Sequence, residues 1–227
     1  MPAPLSVIIP TLDAAAELPG CLHSLMPGLE LGLIREVIVS DGGSQDATPR
    51  IAEDTGAKVI TGKSGRGAQL AAGASLARGE WLLFLHADTV LARDWAERVA
   101  HHVDTRPDKA ATFTLKYRSD ARAARWLESR ANRRTRLMGL PYGDQGLLIS
   151  RKLYETVGGY ADAPLMEDVM IARAIGKSRL AILSAEARTS AEKYERDGWR
   201  KRAWRNAWLL TRFLMGAKPE ALAKAYS

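Results

Sequence analysis

The chain has 227 residues and a single cysteine, Cys21. No internal disulfide is possible, and the composition suits a reducing compartment. Long apolar runs are also missing. The first apolar run, residues 5–10, is far too short for a signal-peptide core or a membrane span, and no basic stretch precedes it. A cytoplasmic protein is expected. No repeat, low-complexity tract or linker interrupts the sequence. After residues 5–10 there is no glycine before Gly20, so the G-x-G-x-x-G fingerprint of dinucleotide binding is absent.

Apolar residues make up 46% and charged residues 26%, which supports a real hydrophobic core and argues against disorder. The formal net charge is +7, an excess that attracts phosphates of any kind. Residues 1–100 are nearly balanced. The basic residues crowd into 116–136 and 193–212, either as solvated helix faces or as two surfaces of one sign.

Residues 5–10, 35–40, 57–60 and 81–85 read as short buried strands. Helical patterns fall between and after them, at 14–26, 46–55, 67–78 and 94–104. Strands alternating with helices imply right-handed βαβ units and a parallel sheet, the α/β class. Beyond this point the pattern is less regular. Residues 111–117 read as a strand that turns the sheet antiparallel. Residues 120–137 form a basic helix, 143–150 a loop and strand, and 151–157 a short helix. A helix at 167–175, a strand at 180–183, a long amphipathic helix at 197–215 and a terminal turn at 222–226 follow. The division expected is a domain over residues 1–195 and a basic helical tail over 196–227.

Ligands of open parallel sheets bind beyond the carboxyl ends of the strands. Thr11, Leu12 and Asp13 follow the first strand, and Asp41-Gly42-Gly43-Ser44-Gln45-Asp46 the second. Gly65-Arg66-Gly67 follows the third, and His86-Ala87-Asp88-Thr89 the fourth. Turn and cap chemistry accounts for several of these one at a time. Asp88 is harder to dismiss, because a carboxylate at the end of a buried strand is costly unless it is paired or binds a cation.

The segments LSVIIPTLDAAAELPGCLHSL, EVIVSDGGSQDAT, GRGAQLAAGASLARGEWLLFLHADT, YGDQGLLISRKLYETVGGY and MEDVMIARAI, in that order, resemble the family 2 glycosyltransferases. The likeness is strongest to a small bacterial branch found beside radical-enzyme and selenium-domain proteins. The resemblance implies a glycosyltransferase A-type fold, a Rossmann-like nucleotide-binding domain. It implies a nucleoside-diphosphate sugar donor, most often a UDP-sugar, and inversion at the anomeric carbon. Asp41 matches the aspartate that meets the base. Thr11 and Asp13 match the rim of the base and ribose site. Asp88 matches the last aspartate of the acidic metal motif, with Ala87 beside it, where Mn²⁺ or Mg²⁺ neutralises the departing diphosphate. Arg66 assists at the phosphates. Asp168 matches the catalytic base, with Glu167 as its neighbour. Asp144 and Gln145 fall on the acceptor side.

Two positions depart from the family pattern. Asp13 and Ala14 stand where Asn-Glu is usual, with Glu17 one helical turn on as a possible substitute. His86 stands where the metal motif opens with aspartate, and imidazole favours softer metals than Mg²⁺. In the tail, Trp199, Trp204 and Trp208 are interleaved with five Arg and Lys residues. That mixture suits either packing on the domain or an anionic membrane surface. The acceptor is then a small molecule or a lipid-linked one. No nucleic-acid-binding motif is present. Two alternatives remain at this level: a nucleotidyltransferase acting on a sugar phosphate, and a non-catalytic nucleotide-sugar-binding or membrane scaffold protein.

Overall fold

The computed structural model describes residues 3–226. Strands β1 (Leu5–Thr11), β2 (Ile34–Asp41), β3 (Lys58–Thr61), β4 (Trp81–Phe84), β5 (Thr89–Leu91), β6 (Ala110–Tyr117), β7 (Leu147–Ser150) and β8 (Leu180–Thr189) form one sheet. Its spatial order is β3-β2-β1-β4-β7-β6-β8-β5. Helices α1 (Leu18–His23), α2 (Met26–Glu30), α3 (Thr48–Asp54), α4 (Arg66–Leu76) and α5 (Trp95–Thr105) alternate with the strands of the first half. Helices α6 (Arg122–Met138), α7 (Arg151–Thr156), α8 (Glu167–Ile175), α9 (Glu192–Asp197), α10 (Trp199–Leu214) and α11 (Pro219–Tyr226) belong to the second half.

Strands β1 to β4 pair in parallel, as the alternating pattern predicts. The reversal of direction lies at β7, which is antiparallel to both β4 and β6. β6 itself runs parallel to β8, so residues 111–117 are not where the sheet turns. The expected helix over 14–26 is two short ones, α1 and α2, each with proline in its first turn. β5 escapes the hydrophobic pattern because it has only three residues, held against β8.

Period-two alternation sends each central strand into two cores. Val7 and Ile9 of β1 and Leu83 of β4 enter a cluster containing Trp95 of α5 and Leu18 of α1. Ile8, Leu82 and Phe84 enter a second cluster with Leu70 of α4 and Ile171 of α8. Covered on both faces, these strands read as unbroken apolar runs. From β1 the chain proceeds to β2 and β3 on one side and reaches β4 on the other. The crevice beyond the carboxyl ends of β1 and β4 is therefore a topological switch point. No helix among the described residues is long and apolar enough to cross a membrane.

Helix α4 approaches β1 through Gly73, where an added Cβ would press into the Ile8 methyl Cγ2. Helix propensity alone favours alanine over glycine by roughly 1 kcal/mol. Overpacking of a dense core typically costs about 1–3 kcal/mol. Gly73→Ala is therefore predicted to lower the urea midpoint, against its propensity. An unchanged or higher midpoint would show that α4 moves away from β1 freely.

Candidate functional site

The carboxyl ends of β1 and β2 are held together by one buried carboxylate. Asp41 Oδ1 accepts hydrogen bonds from Thr11 Oγ1 (2.9 Å) and Ser44 Oγ (2.5 Å). Its Oδ2 accepts from the N–H groups of Gly43 (2.9 Å) and Ser44 (2.8 Å). Burial pushes the Asp41 carboxyl up, but the bonds from Ser44, Thr11 and Gly43 outweigh it and hold the group below its ordinary value. Beneath this loop, Gln69 Nε2 of α4 donates to the carbonyls of Thr11 and Ser40, each at 2.7 Å. Asp13 takes the left-handed conformation, φ 48°, which aspartate tolerates better than most residues. Its carboxylate accepts from Gln45 N–H (2.8 Å), and its own N–H donates to Ser44 Oγ (2.9 Å). Asp46 Oδ1 accepts from Thr48 N–H at the start of α3 (2.9 Å), and its Oδ2 from Ala15 N–H (3.0 Å).

A cavity of about 510 Å³ opens beyond these loops. Thr11, Asp13, Arg66, Ala87 and Asp88 line it. Asp41 does not. It is buried below the cavity, with its oxygens engaged by the loop. Glu17 lies at the rim, ion-paired with Arg118. Arg66 opens α4 after Gly65, whose φ of 137° favours glycine. At Gly67 a Cβ would collide with the Ala161 carbonyl oxygen, so only glycine lets α4 come this close to residues 161–163.

A second cavity, about 190 Å³, adjoins the first, and Arg66, His86, Asp88 and Glu167 line both. Asp144, Asp168, Tyr117, Tyr142 and Tyr194 line only the second. Asp168 sits in the first turn of α8. Its Oδ1 accepts from Val169 N–H (2.7 Å) and its Oδ2 from Gly143 N–H (2.9 Å). The carboxylate is thus anchored to the helix terminus and to the 143–146 turn. Met166, just before α8, has φ 68°, a strained setting for a non-glycine residue. Glu167 is buried, and its Oε1 meets Arg66 Nη1 at 3.2 Å. Burial, with Asp168 adding, pushes the Glu167 carboxyl up, and Arg66 opposes them. Asp144 is raised to about 6. Burial is the main cause; Arg134 opposes it, while Asp168 and Asp88 add to it.

Asp88 accepts only long hydrogen bonds at Oδ1, from Thr189 Oγ1 (3.3 Å) and Thr89 Oγ1 (3.4 Å). Its carboxylate keeps acceptor capacity toward the cavities. Among the described residues no group of three or more His, Cys, Asp and Glu side chains is poised to hold a metal ion. A Mg²⁺ or Mn²⁺ ion on a diphosphate takes one or two protein carboxylates, with water and phosphate oxygens completing the shell, and Asp88 is placed to supply one. His86 fits less well as a ligand. Its Nε2 edge packs on the Gly143 backbone, where an added Cβ would strike it. Burial, with Arg66 and Lys193 adding, pushes its pKa well down and keeps the ring neutral.

The structure therefore brings Thr11, Asp13, Arg66, Ala87, Asp88, Glu167, Asp168 and Asp144 to one continuous crevice. Gln145 is turned away from it. The side chain is fully buried, accepting from Thr135 Oγ1 (2.8 Å) and donating to the Phe113 carbonyl (3.1 Å). Sequence reading missed Gln69, an inconspicuous member of an alanine-rich helix. It also missed Tyr117, Tyr142 and Tyr194, which no motif links. On α10, Arg202, Leu209 and Leu210 are buried, and Ala207 and Leu214 face outward. Leu209 and Leu210 pack with Leu140, Met166 and Leu222, and Arg202, Asn206 and Leu209 line the smaller cavity.

The sequence model described as "Glycosyl transferase family 2" matches residues 6–161. Two curated relatives, from Mycobacterium bovis (strain BCG / Pasteur 1173P2) and Mycobacterium tuberculosis (strain ATCC 25177 / H37Ra), are each named "PGL/p-HBAD biosynthesis glycosyltransferase". Each is 40% identical over 109 residues, which cover 44% of this chain and 42% of the relative. The chain thus matches under half the length of these relatives. Among solved structures, S. aureus TarS 1–349 in complex with UDP-GlcNAc superposes with a TM-score of 0.62 at 17% identity, over 82% of this chain and 58% of that one. Glucosyl-3-phosphoglycerate synthase from Mycobacterium tuberculosis, in complex with Mn²⁺, UDP and phosphoglyceric acid, gives 0.59 at 21% identity, over 82% and 69%. These likenesses establish the glycosyltransferase A-type fold. With the family match spanning most of the chain and its motifs gathered on one crevice, the protein belongs to glycosyl transferase family 2.

Proposed function

We propose that this chain transfers a glycosyl group from a nucleoside-diphosphate sugar, with UDP-sugars favoured, to a hydroxyl of its acceptor, inverting the anomeric carbon. The observation that carries this reading is the pair of adjoining cavities with a shared wall of Arg66, His86, Asp88 and Glu167. The larger takes the donor and the smaller the acceptor. The nucleoside lies along Thr11 and Asp13. Asp41 acts from below, by fixing the loop against which the base rests. Arg66 and Asp88 face the diphosphate at the shared wall. A divalent ion held by Asp88, Mn²⁺ or Mg²⁺, would neutralise charge on the departing diphosphate. The neighbouring synthase bound to Mn²⁺ and UDP supports this cofactor class.

Asp168 is the general base. It lines the smaller cavity and not the larger, and its carboxylate is oriented by Gly143 N–H and the α8 terminus. Glu167 neutralises Arg66 and keeps it extended toward the shared wall. A single base opposite the leaving group gives one in-line displacement and hence inversion. No second carboxylate is required as a nucleophile.

The tail supports a cytoplasmic protein that also touches membrane. Trp204 is 75% exposed and Trp208 49% exposed on α10, with Leu214 and Met215 also facing outward. Of the five cations of this helix expected to meet lipid, Arg202 is buried and paired with Asp197 at 2.7 Å, and Arg205 also meets Asp197, at 3.8 Å. Arg200, Lys201 and Arg212 remain, each contributing about 1 kcal/mol at an anionic surface.

Three outcomes are predicted. Asp88→Ala keeps normal circular dichroism but loses the Mn²⁺-dependent strengthening of UDP-sugar binding in calorimetry; retention of that strengthening would remove Asp88 from the site. Asp168→Asn keeps UDP affinity while transfer falls about 10²–10⁴-fold, and NMR of the wild-type product shows inverted configuration. Wild-type transfer by the variant, or a retained configuration, contradicts this mechanism. The protein sediments with anionic liposomes at low salt, less at high salt, and Trp204→Ala/Trp208→Ala weakens the salt-resistant part. Protein left in the supernatant at low salt would mean that the tail serves only its own domain.

A further inference from the structure

Helix α6 turns its one acid inward and its arginines outward. Glu128 is buried, accepts from Tyr117 N–H (2.7 Å) and meets Lys116 (3.5 Å) and Arg125 (3.2 Å). On the same inner side Asn132 bonds the Leu115 backbone (2.9 and 3.1 Å) and Thr135 donates to Gln145 (2.8 Å). These groups are occupied in holding β6 and the 143–146 turn. The outer side carries Arg122, Trp126, Arg130, Arg133, Arg136 and Leu137, all exposed, with Trp126 and Leu137 at least half uncovered. Their helical spacing puts them on one face. No exposed acid lies within α6, and none of these four arginines meets a carboxylate among the described residues. A solvated helix face ordinarily interleaves both signs. Here Arg130, Arg133 and Arg136 stand three residues apart and repel one another. Helix α10, which packs against α6, contains no acid at all. Each helix also lays an arginine over the tryptophan four residues before it, Arg130 over Trp126 at 4.8 Å and Arg212 over Trp208 at 4.7 Å.

We propose that the outer face of α6 is the main electrostatic contact of this protein with an anionic lipid bilayer, its arginines on lipid phosphates and Trp126 and Leu137 at headgroup depth. The proposal deepens the membrane reading of the tail and does not depend on glycosyl transfer. It moves the charge-bearing surface from the tail to a helix that is built into the sheet domain. On α10, Arg202 and Arg205 are drawn to Asp197, whereas the four outer arginines of α6 keep their charge for a partner. With 17 residues α6 is a rod about 25 Å long, enough to lie along a surface. Charge complementarity selects an anionic partner, and the apolar side chains select among anions. A dissolved polyanion would satisfy the arginines and leave Leu137 in water. A bilayer takes both, since an interfacial helix sets cations against phosphates and apolar groups at the acyl boundary.

The test measures partition of the full chain onto liposomes of phosphatidylglycerol and phosphatidylcholine in equal parts, and onto phosphatidylcholine alone, at low salt. Arg122→Gln/Arg133→Gln/Arg136→Gln is compared with Arg35→Gln/Arg50→Gln/Lys58→Gln, which removes the same charge from exposed positions on β2, α3 and β3. Circular dichroism and the melting midpoint establish that each variant is folded. The α6 triple is expected to lower partition onto the anionic liposomes at least tenfold, and the comparison triple less than twofold. Arg122→Lys/Arg133→Lys/Arg136→Lys restores binding, because the charge is kept. Brominated lipid quenches the tryptophan fluorescence of the bound protein, and Trp126→Ala removes part of that quenching. Equal loss in the two glutamine triples, or an α6 triple within twofold of wild type, would overturn the proposal and leave the tail reading standing. Tighter binding of a single-stranded RNA than of the anionic liposomes, lost in the α6 triple, would also overturn it and give the face to nucleic acid. Wild-type protein that stays in the supernatant with anionic liposomes would remove both membrane readings and leave glycosyl transfer untouched.

Discussion

A buried, ionised carboxylate without a cation must be met by hydrogen bonds, and Asp41 meets that condition with four. Much of the β1–β2 edge follows from it. Thr11 ends β1 and Asp41 ends β2, so their bond locks the ends of two parallel strands in register. The two N–H donors, from Gly43 and Ser44, bend the following loop back over the sheet edge. Ser44 then receives the Asp13 N–H and passes the constraint to the β1 loop. Gln69 braces the same two strands from below through the Thr11 and Ser40 carbonyls. The larger cavity therefore has a preorganised wall whose polar groups are satisfied before a ligand enters. Its cost of reorganisation on binding is correspondingly small.

The opposite wall is organised by charge. Glu167 is buried against Arg66, and Asp168 is anchored one residue on. Two adjacent carboxylates disfavour joint ionisation, but here they face different partners: an arginine for Glu167, and backbone N–H groups for Asp168. The left-handed Met166 sets the angle at which α8 presents both. The C-terminal helices complete this wall. Leu209 and Leu210 pack on Met166 and Leu140, while Asn206 and Arg202 reach the cavity. The tail is thereby coupled to the smaller cavity, and its outward tryptophans lie on the helix whose inner face shapes that cavity.

Legibility in the sequence divides along similar lines. The parallel half-sheet was readable because its strands are buried on both faces and separated by helical spacing. The rim residues were readable because strand ends in such a sheet share one edge. Asp88 stood out as a carboxylate closing an apolar run, and it does sit at the junction of the two cavities. The second half was harder. β5 has three residues and pairs with β8 across about a hundred positions of sequence, so no local pattern signals it. The reversal at β7 depends on which neighbour the strand pairs with, not on its composition.

Sequence alone determined the chemical inventory: carboxylates at strand ends, glycines where loops turn, a single thiol, and basic helices late in the chain. Periodicity and residue type carry that information locally. Tertiary structure alone decided which groups remain available. Asp41 is consumed by its own loop, Gln145 by Thr135 and Phe113, and Arg202 by Asp197. Asp144, the immediate neighbour of Gln145, is left with an unpartnered oxygen at the cavity. Such outcomes depend on contacts between segments far apart in the chain. Burial and hydrogen-bond saturation are properties of the packed assembly, and no single segment encodes them.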